Sequence, residues 1–176
     1  MTKSAEELLD GGNRPADPED LFARFRELEI EAHTVEHPPV FTVEEAKSLR
    51  GKLPGGHTKN LFLRNKKGVM WLVVCLEDRS IDLKELAQRL GAGRFSFGSA
   101  ARLMKHLGVI PGAVTPFAVI NDTAGKVRVV LERAMLEVDT LNFHPLDNAR
   151  TTAIAATDLV RFLEAEDHGA EIIDLP

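Results

Sequence analysis

The sequence predicts a mixed α/β fold, a single domain with a mixed, largely antiparallel central sheet surrounded by helices. Strand-sized apolar runs outnumber segments of helical period. They meet mostly through hairpins, which argues against a doubly wound parallel fold. At 176 residues the chain is sized for one domain that buries about two-thirds of its unfolded surface.

Residues 1–16 contain Gly11-Gly12 and little periodicity, so a mobile tail is expected before a folded body over 17–176. Asp17-Pro18 sets an N-cap and a first-turn proline, and Leu21, Phe22, Phe25 and Leu28 follow at helical spacing. His33–Glu36 reads as a strand stopped by Pro38-Pro39. Thr42 and Glu45 form a capping box for a short helix ending near Arg50.

Lys59 and Asn60 open a strand whose block Leu61-Phe62-Leu63 is apolar. Asn65–Gly68 is its turn, and Val69–Leu76 returns as a strand with both faces buried. Asp82 and Ser99 cap two further helices, ended by Gly91 and Gly108, with a short strand at Phe95–Phe97 between them. Val109–Gly112 is an apolar loop placed to wall a pocket. Phe117–Asn121 and Lys126–Leu131 read as a second hairpin, and Leu136–Asp139 as a strand. Leu141–Pro145 reads as a loop, Thr151–Ala155 as a strand, Asp158–Glu166 as a helix capped by Thr157, and Glu171–Asp174 as the last strand.

The net charge of -5 argues against a nucleic-acid partner, but its distribution reverses that inference. Between Lys47 and Lys67 stand Lys47, Arg50, Lys52, Lys59, Arg64, Lys66 and Lys67 with no acid; Gln88–Asn121 adds Arg89, Arg94, Arg102 and Lys105, again with none. A basic face opposite an acidic back would attract a phosphate backbone in a salt-dependent way. A merely solvated cationic surface accounts for charge alone equally well.

The chemistry classes that need a fixed signature are absent. Gly91-Ala92-Gly93 follows a helix and lacks a third glycine in register, so it is no dinucleotide loop. No Walker sequence, nucleophile elbow, paired-cysteine spacing or His-Glu-x-x-His occurs. His33 and His37 lie in an extended segment and share no helical face as a metal pair, so no metal site and no cofactor are expected. Cys75, the single cysteine, sits in an apolar strand and reads as a packed thiol. His106 and His168 fall near helix ends, where imidazoles cap carbonyls. The apolar runs are too short to span a membrane and the N-terminus lacks a signal-peptide centre, so a cytoplasmic protein with no membrane partner is expected.

Two stretches carry more. Lys59 at the mouth of the central hairpin, after the Gly55-Gly56 loop, is either an edge lysine that blunts sheet association or a ligand contact held by rigid backbone. Gly112-Ala113-Val114-Thr115-Pro116 lies between a helix end and a predicted central strand. In that order, Thr58-Lys59-Asn60-Leu61-Phe62-Leu63 and Pro111-Gly112-x-Val114-Thr115-Pro116 resemble the YbaK-type prolyl-tRNA synthetase-associated editing domains. Within them the likeness is greatest to the freestanding alanyl-specific branch, ProXp-ala or PrdX. It runs from about Leu21 to Leu175, and relatives carry a segment similar to Phe143-His144-Pro145 after the loop.

The resemblance implies the YbaK fold and a trans-editing hydrolase that cleaves the ester between alanine and the 3' adenosine of proline tRNA. No strong nucleophile is needed, because a positioned water and the neighbouring ribose hydroxyl suffice once an oxyanion is stabilised. It implies Lys59, Gly112 and His144 as catalytic groups, with Asn60, Ala113, Val114, Thr115 and Pro116 around the substrate. Lys47, Arg50, Lys52 and Arg64 are expected to meet RNA. The partners implied are the acceptor end of mischarged proline tRNA and, as a second candidate, prolyl-tRNA synthetase, with no DNA. Two readings stand beside it: a cysteinyl-tRNA(Pro) deacylase of the same superfamily, and a regulatory module that binds nucleic acid without chemistry.

Overall fold

The computed structural model describes residues 8–39 and 53–175. β3 (Met70–Leu76) is the strand on which the two halves of the core meet. Met70 to Cys75 are all buried. Because successive strand residues face opposite ways, Leu72 and Val74 enter one apolar layer and Trp71, Val73 and Cys75 the other.

β2 (Gly56–Arg64) pairs antiparallel with β3 through the Asn65–Gly68 turn, where Gly68 takes a φ of +83°. On β3's other side β5 (Val127–Glu132) and then β8 (Glu171–Ile173) run parallel. Beyond β2 come β6 (Thr140–Phe143), parallel to its first residues, then β7 (Arg150–Ala155) and β1 (Ala32–Glu36), each antiparallel to its neighbour. β4 (Ser96–Phe97) pairs with the far end of β2. The order is β1-β7-β6-β2-β3-β5-β8 with β4 beside β2, a mixed sheet as the sequence predicts.

Helices α1 (Pro18–Glu27), α3 (Ala100–Leu107) and α4 (Ala156–Ala165) cover one face, burying Phe25, Leu107 and Phe162. α2 (Leu83–Arg89) covers the other face with Leu86 and Ala87. Phe117 is the hub of the larger layer, its ring edge-on to Phe25 at 5.1 Å and to Phe143 and Phe162 at 5.5 Å.

The second half departs from expectation in three places. Pro116–Asn121 is a 3-10 helix rather than a strand, and β5 finds β3 and β8 instead of a hairpin partner. A continuous apolar run does not distinguish strand from buried helix. Here Thr115 Oγ1 accepts from Phe117 N at 3.4 Å and Pro116 has no amide for a ladder. Met135–Glu137 is likewise a 3-10 turn. The expected loop at Leu141–Pro145 begins as β6, a strand made by non-local pairing.

Smaller differences occur at the ends. α4 starts at Ala156, with no side-chain cap from Thr157. In the predicted tail, Asp10 N donates to Lys105 O at 2.9 Å and Ala16 N to Asn121 Oδ1 at 2.8 Å. The helix predicted from Thr42 to Arg50 lies outside the described residues, as do Lys47, Arg50 and Lys52.

Candidate active site

The ladders decide which side chains share a face. Residues directly opposite on neighbouring strands point the same way, so the pairs His57↔Asn142, Asn142↔Ala153 and Val35↔Thr151 put His57, Asn142, Thr151 and Val35 on one side. Two residues along β2, Lys59 joins that side opposite Cys75, and His144 and His37 continue it past the ends of β6 and β1. Gly56, Thr58, Asn60 and Phe62 face the other way, toward the layer of Leu72, Val74 and Phe117.

Lys59 is half-buried and donates its Nζ to the Arg79 carbonyl. That carbonyl is fixed because Glu132, only 1% exposed, holds Arg79 Nε at 2.6 Å and accepts from Leu76 N at 3.0 Å. Burial pushes the Cys75 thiol up to about 11 against the pull of the Lys59 charge. Cys75 is therefore an inert packed thiol, as its strand position predicts.

His144 follows β6. Its Nδ1 lies 2.9 Å from the Arg150 carbonyl, and a carbonyl only accepts, so Nδ1 carries the hydrogen. Burial lowers its pKa, the Arg150 carbonyl opposes, and His37, whose ring centroid is 6.3 Å away, lowers it further. The ring is thus neutral at physiological pH, with its lone pair on Nε2. His37 is oriented in the same way, Nδ1 toward Pro38 O and Nε2 toward Thr151 Oγ1, both at 2.8 Å.

Asn142 builds the floor between Lys59 and His144. Its Nδ2 donates to Pro54 O at 2.8 Å and Gly56 O at 3.3 Å, while its carbonyl accepts from Thr58 Oγ1 at 2.7 Å. Gly55 is required in that loop: it has a φ of +94°, and a Cβ would lie 2.9 Å from Thr140 O.

The strand divides the other predicted residues from these. Asn60 points to the opposite face, where its Oδ1 is buried with no hydrogen-bond partner. The 3-10 turn Pro111–Ala113 and the following Pro116–Asn121 also pack on that face, Ala113 and Phe117 joining its core. Ala113, Thr115 and Pro116 are buried, so from Gly112 to Pro116 only Gly112 and the half-buried Val114 present surface, next to the exposed Pro111 and to Ile110 at 45% exposure. Gly112 does not have a positive φ, so backbone conformation does not explain the glycine. Arg64 ends β2 with its Nε buried and unpartnered.

Sequence reasoning missed Asn142, Thr151 and His37 as parts of this face. A signal existed for His37, which is polar and precedes two prolines, but its partner Thr151 lies far along the chain. Among the described residues no group of three or more His, Cys, Asp or Glu could hold a metal ion. No described helix is long and apolar enough to cross a membrane.

Comparison with known proteins gives the family. The aminoacyl-tRNA editing domain matches residues 37–162. The prolyl-tRNA editing protein ProX of Acetoanaerobium sticklandii is 36% identical over 88% of this chain and 95% of its own length. Prolyl-tRNA synthetase associated domain-containing protein 1 of Danio rerio is 38% identical over 98% of this chain and 97% of its own. Two crystal structures share the fold at 18% identity: the hypothetical protein APE2540, with a TM-score of 0.71 over 88% of this chain and 97% of its own, and a candidate trans-editing enzyme for prolyl tRNA synthetase, with 0.68 over 91% and 97%. With a family match over most of its length and relatives this close, the chain belongs to the aminoacyl-tRNA editing domain family.

Proposed function

We propose that this aminoacyl-tRNA deacylase edits proline tRNA and that its substrate is the alanyl ester. The observation that carries the mechanism is the face shared by Lys59 and His144, on which a cation and a neutral imidazole with a free Nε2 lone pair stand over one floor. Water adds to the ester carbonyl carbon, the bond to the ribose oxygen breaks, and free alanine leaves with the ribose hydroxyl restored. His144 Nε2 orients the water or the neighbouring ribose hydroxyl. Lys59 exchanges the Arg79 carbonyl for the negative charge that develops on the substrate. The Gly112–Pro116 loop stands on the other face of β2, where Ala113 and Phe117 join the core, so it supports the strand and is not among the groups that act on this ester.

Alanine is separated from proline by exclusion. A pocket gains only roughly 1–3 kcal/mol per methylene, so attraction alone cannot favour the smaller side chain. A wall just beyond a methyl group admits alanine and rejects the proline ring. The test is deacylation of alanyl-, cysteinyl- and prolyl-tRNA(Pro) by the purified chain. Rapid release of alanine with the prolyl ester spared is expected; preference for the cysteinyl ester or cleavage of the prolyl ester overturns the reading.

A further inference from the structure

His144 takes its direction from the Arg150 carbonyl, 2.9 Å from its Nδ1. Arg150 opens β7 opposite Glu36, the last residue of β1. The next residue of that edge strand's chain, His37, grips β7 on both sides of Arg150. Its backbone amide donates to the Ala149 carbonyl at 2.9 Å, and its Nε2 lies 2.8 Å from Thr151 Oγ1. The carbonyl that orients His144 therefore sits between two anchors held by one histidine.

The ring itself is locked. Its Nδ1 lies 2.8 Å from the Pro38 carbonyl, which only accepts, so Nδ1 carries a hydrogen; the Thr151 hydroxyl, able to donate or accept, satisfies Nε2. With both nitrogens engaged, the ring stands 6.3 Å from that of His144, centroid to centroid, at an interplanar angle of 58°. It bounds the space in which His144 can turn.

Strand pairing does not need this ring. Five residue pairs, from Ala32↔Ile154 to Glu36↔Arg150, already tie β1 to β7, and the His37 amide extends that ladder whatever its side chain. His33 to Glu36 are exposed, whereas His37 is half-buried. The Arg150 guanidinium has its own anchors, Asp147 Oδ2 at 3.4 Å and the Phe22 ring at 5.9 Å. Those hold the side chain, but the direction of the carbonyl is set by the rigid peptide plane that it shares with the Thr151 amide. Holding Thr151 is thus the way to aim it.

We propose that His37 is a positioning residue for the editing reaction: through Thr151 it aims the Arg150 carbonyl, and so keeps His144 in the tautomer that leaves Nε2 free for the substrate. Its effect on catalysis rests on the role of His144 in the function proposed above; the coupling of the two histidines does not.

The experiment pairs kinetics with spectroscopy on the full chain. Deacylation of alanyl-tRNA(Pro) is measured for wild type, H37A, H37Q, T151V and H37A/T151V, each checked for folding by circular dichroism. The tautomer of His144 is read from long-range proton–nitrogen NMR correlations of isotope-labelled histidine, assigned by loss of the signals in His144→Ala. In H37A, kcat is expected to fall ~10–100-fold with KM within about twofold, the loss that a small misplacement of a reacting group produces. The His144 signals should pass from one Nδ1–H form to a mixture of both tautomers, a change that a purely structural role for His37 would not cause. H37Q, whose amide reaches the place of Nε2, should recover most of kcat. T151V should lose as much as H37A, and the double variant no more than either, because both substitutions cut one link. Wild-type kcat in folded H37A or T151V overturns the proposal, as does an unchanged His144 tautomer or a double variant in which the two losses multiply. A wild-type chain that cleaves no aminoacyl ester, while H37A still mixes the His144 tautomers, upholds the coupling and refutes the editing function alone.

Discussion

The side chains proposed to act on the ester differ in what holds them, and that separates their effects on activity from those on stability. Lys59 gives the fold one hydrogen bond from a half-buried position, so Lys59→Ala should cost only about 1 kcal/mol of stability. Removing a preorganised positive group from a developing oxyanion costs ~10²–10³ in rate. The expected result is therefore a folded protein, by circular dichroism and melting temperature, with kcat/KM down by about that factor; near-normal activity would remove Lys59 from the mechanism. His144 gives a pH signature. Its folded pKa is depressed below the usual 6.5, chiefly by burial, so the lone pair on Nε2 survives to more acidic pH than in a free imidazole. The acid limb of kcat/KM should have its midpoint below 6.5 and should vanish in His144→Ala. A midpoint at or above 6.5 would mean that another group titrates.

At the scale of elements, the join between the 3-10 helix Pro116–Asn121 and β5 depends on one buried pair. Asp122 accepts from Lys126 N at 3.1 Å and Val127 N at 2.8 Å, and its Oδ2 lies 2.8 Å from His168 Nε2. His168 Nδ1 meets the Glu166 carbonyl at 2.6 Å. Both imidazole nitrogens face acceptors, so the ring is a cation. Burial pushes the His168 pKa down more than any other single influence, but the hydrogen bonds to Asp122 and the Glu166 carbonyl and the two carboxylate charges together raise it; for Asp122 burial pushes up, and the hydrogen bonds from His168, Val127 N and Lys126 N with the His168 charge together leave it lowered. The raised histidine gives stability that is fully present below 6.5 and lost as pH rises through its folded value. The lowered aspartate gives stability that is present above 3.8 and lost as pH falls through its folded value. Urea unfolding should therefore show His168→Asn destabilised by ~3–5 kcal/mol near pH 6, since Asp122 is left buried without its partner. The gap from wild type should narrow as pH rises above the folded His168 value. A constant gap would mean that the ring is neutral.

The same join shows what the sequence could and could not tell. Local signals, Asp17-Pro18, the Asn65–Gly68 turn and the Ser99 and Gly108 caps, were readable because they act within a few residues. The Pro116 helix and β6 were not, because a proline-led apolar run suits either state and β6 exists only through partners distant in sequence. The candidate site was legible only as residue types, with Lys59 and His144 singled out by their positions. Its facing was not carried through: adjacent residues of a strand point to opposite sides, so Lys59 and Asn60 belong to different faces, and only the register reveals that His37 and Thr151 belong with His144.

For the molecule as a whole, β2 and β3 lie between two apolar layers and belong to both. Leu63 and Trp71 enter the smaller layer and Phe62 and Leu72 the larger one, so neither layer can come apart without exposing the back of a strand that the other needs. Loss of the α2 side would open Val73 and Cys75, both 0% exposed, and loosen the hairpin that carries Lys59. The two layers should therefore unfold together even in a chain of this length, despite the tendency of larger proteins to populate intermediates. Trp71, the single tryptophan, reports on the smaller layer, whereas far-ultraviolet circular dichroism is weighted to the helices of the larger one. Urea transitions by the two probes should coincide in the wild type. Leu63→Ala and Leu72→Ala, each truncating a side chain with 0% exposure, should each move both probes together, by about 2–5 kcal/mol. If Leu63→Ala moved the tryptophan transition and left the dichroism in place, the smaller layer would be a separate unit. The α2 side could then open while the larger layer still held the hairpin that carries Lys59.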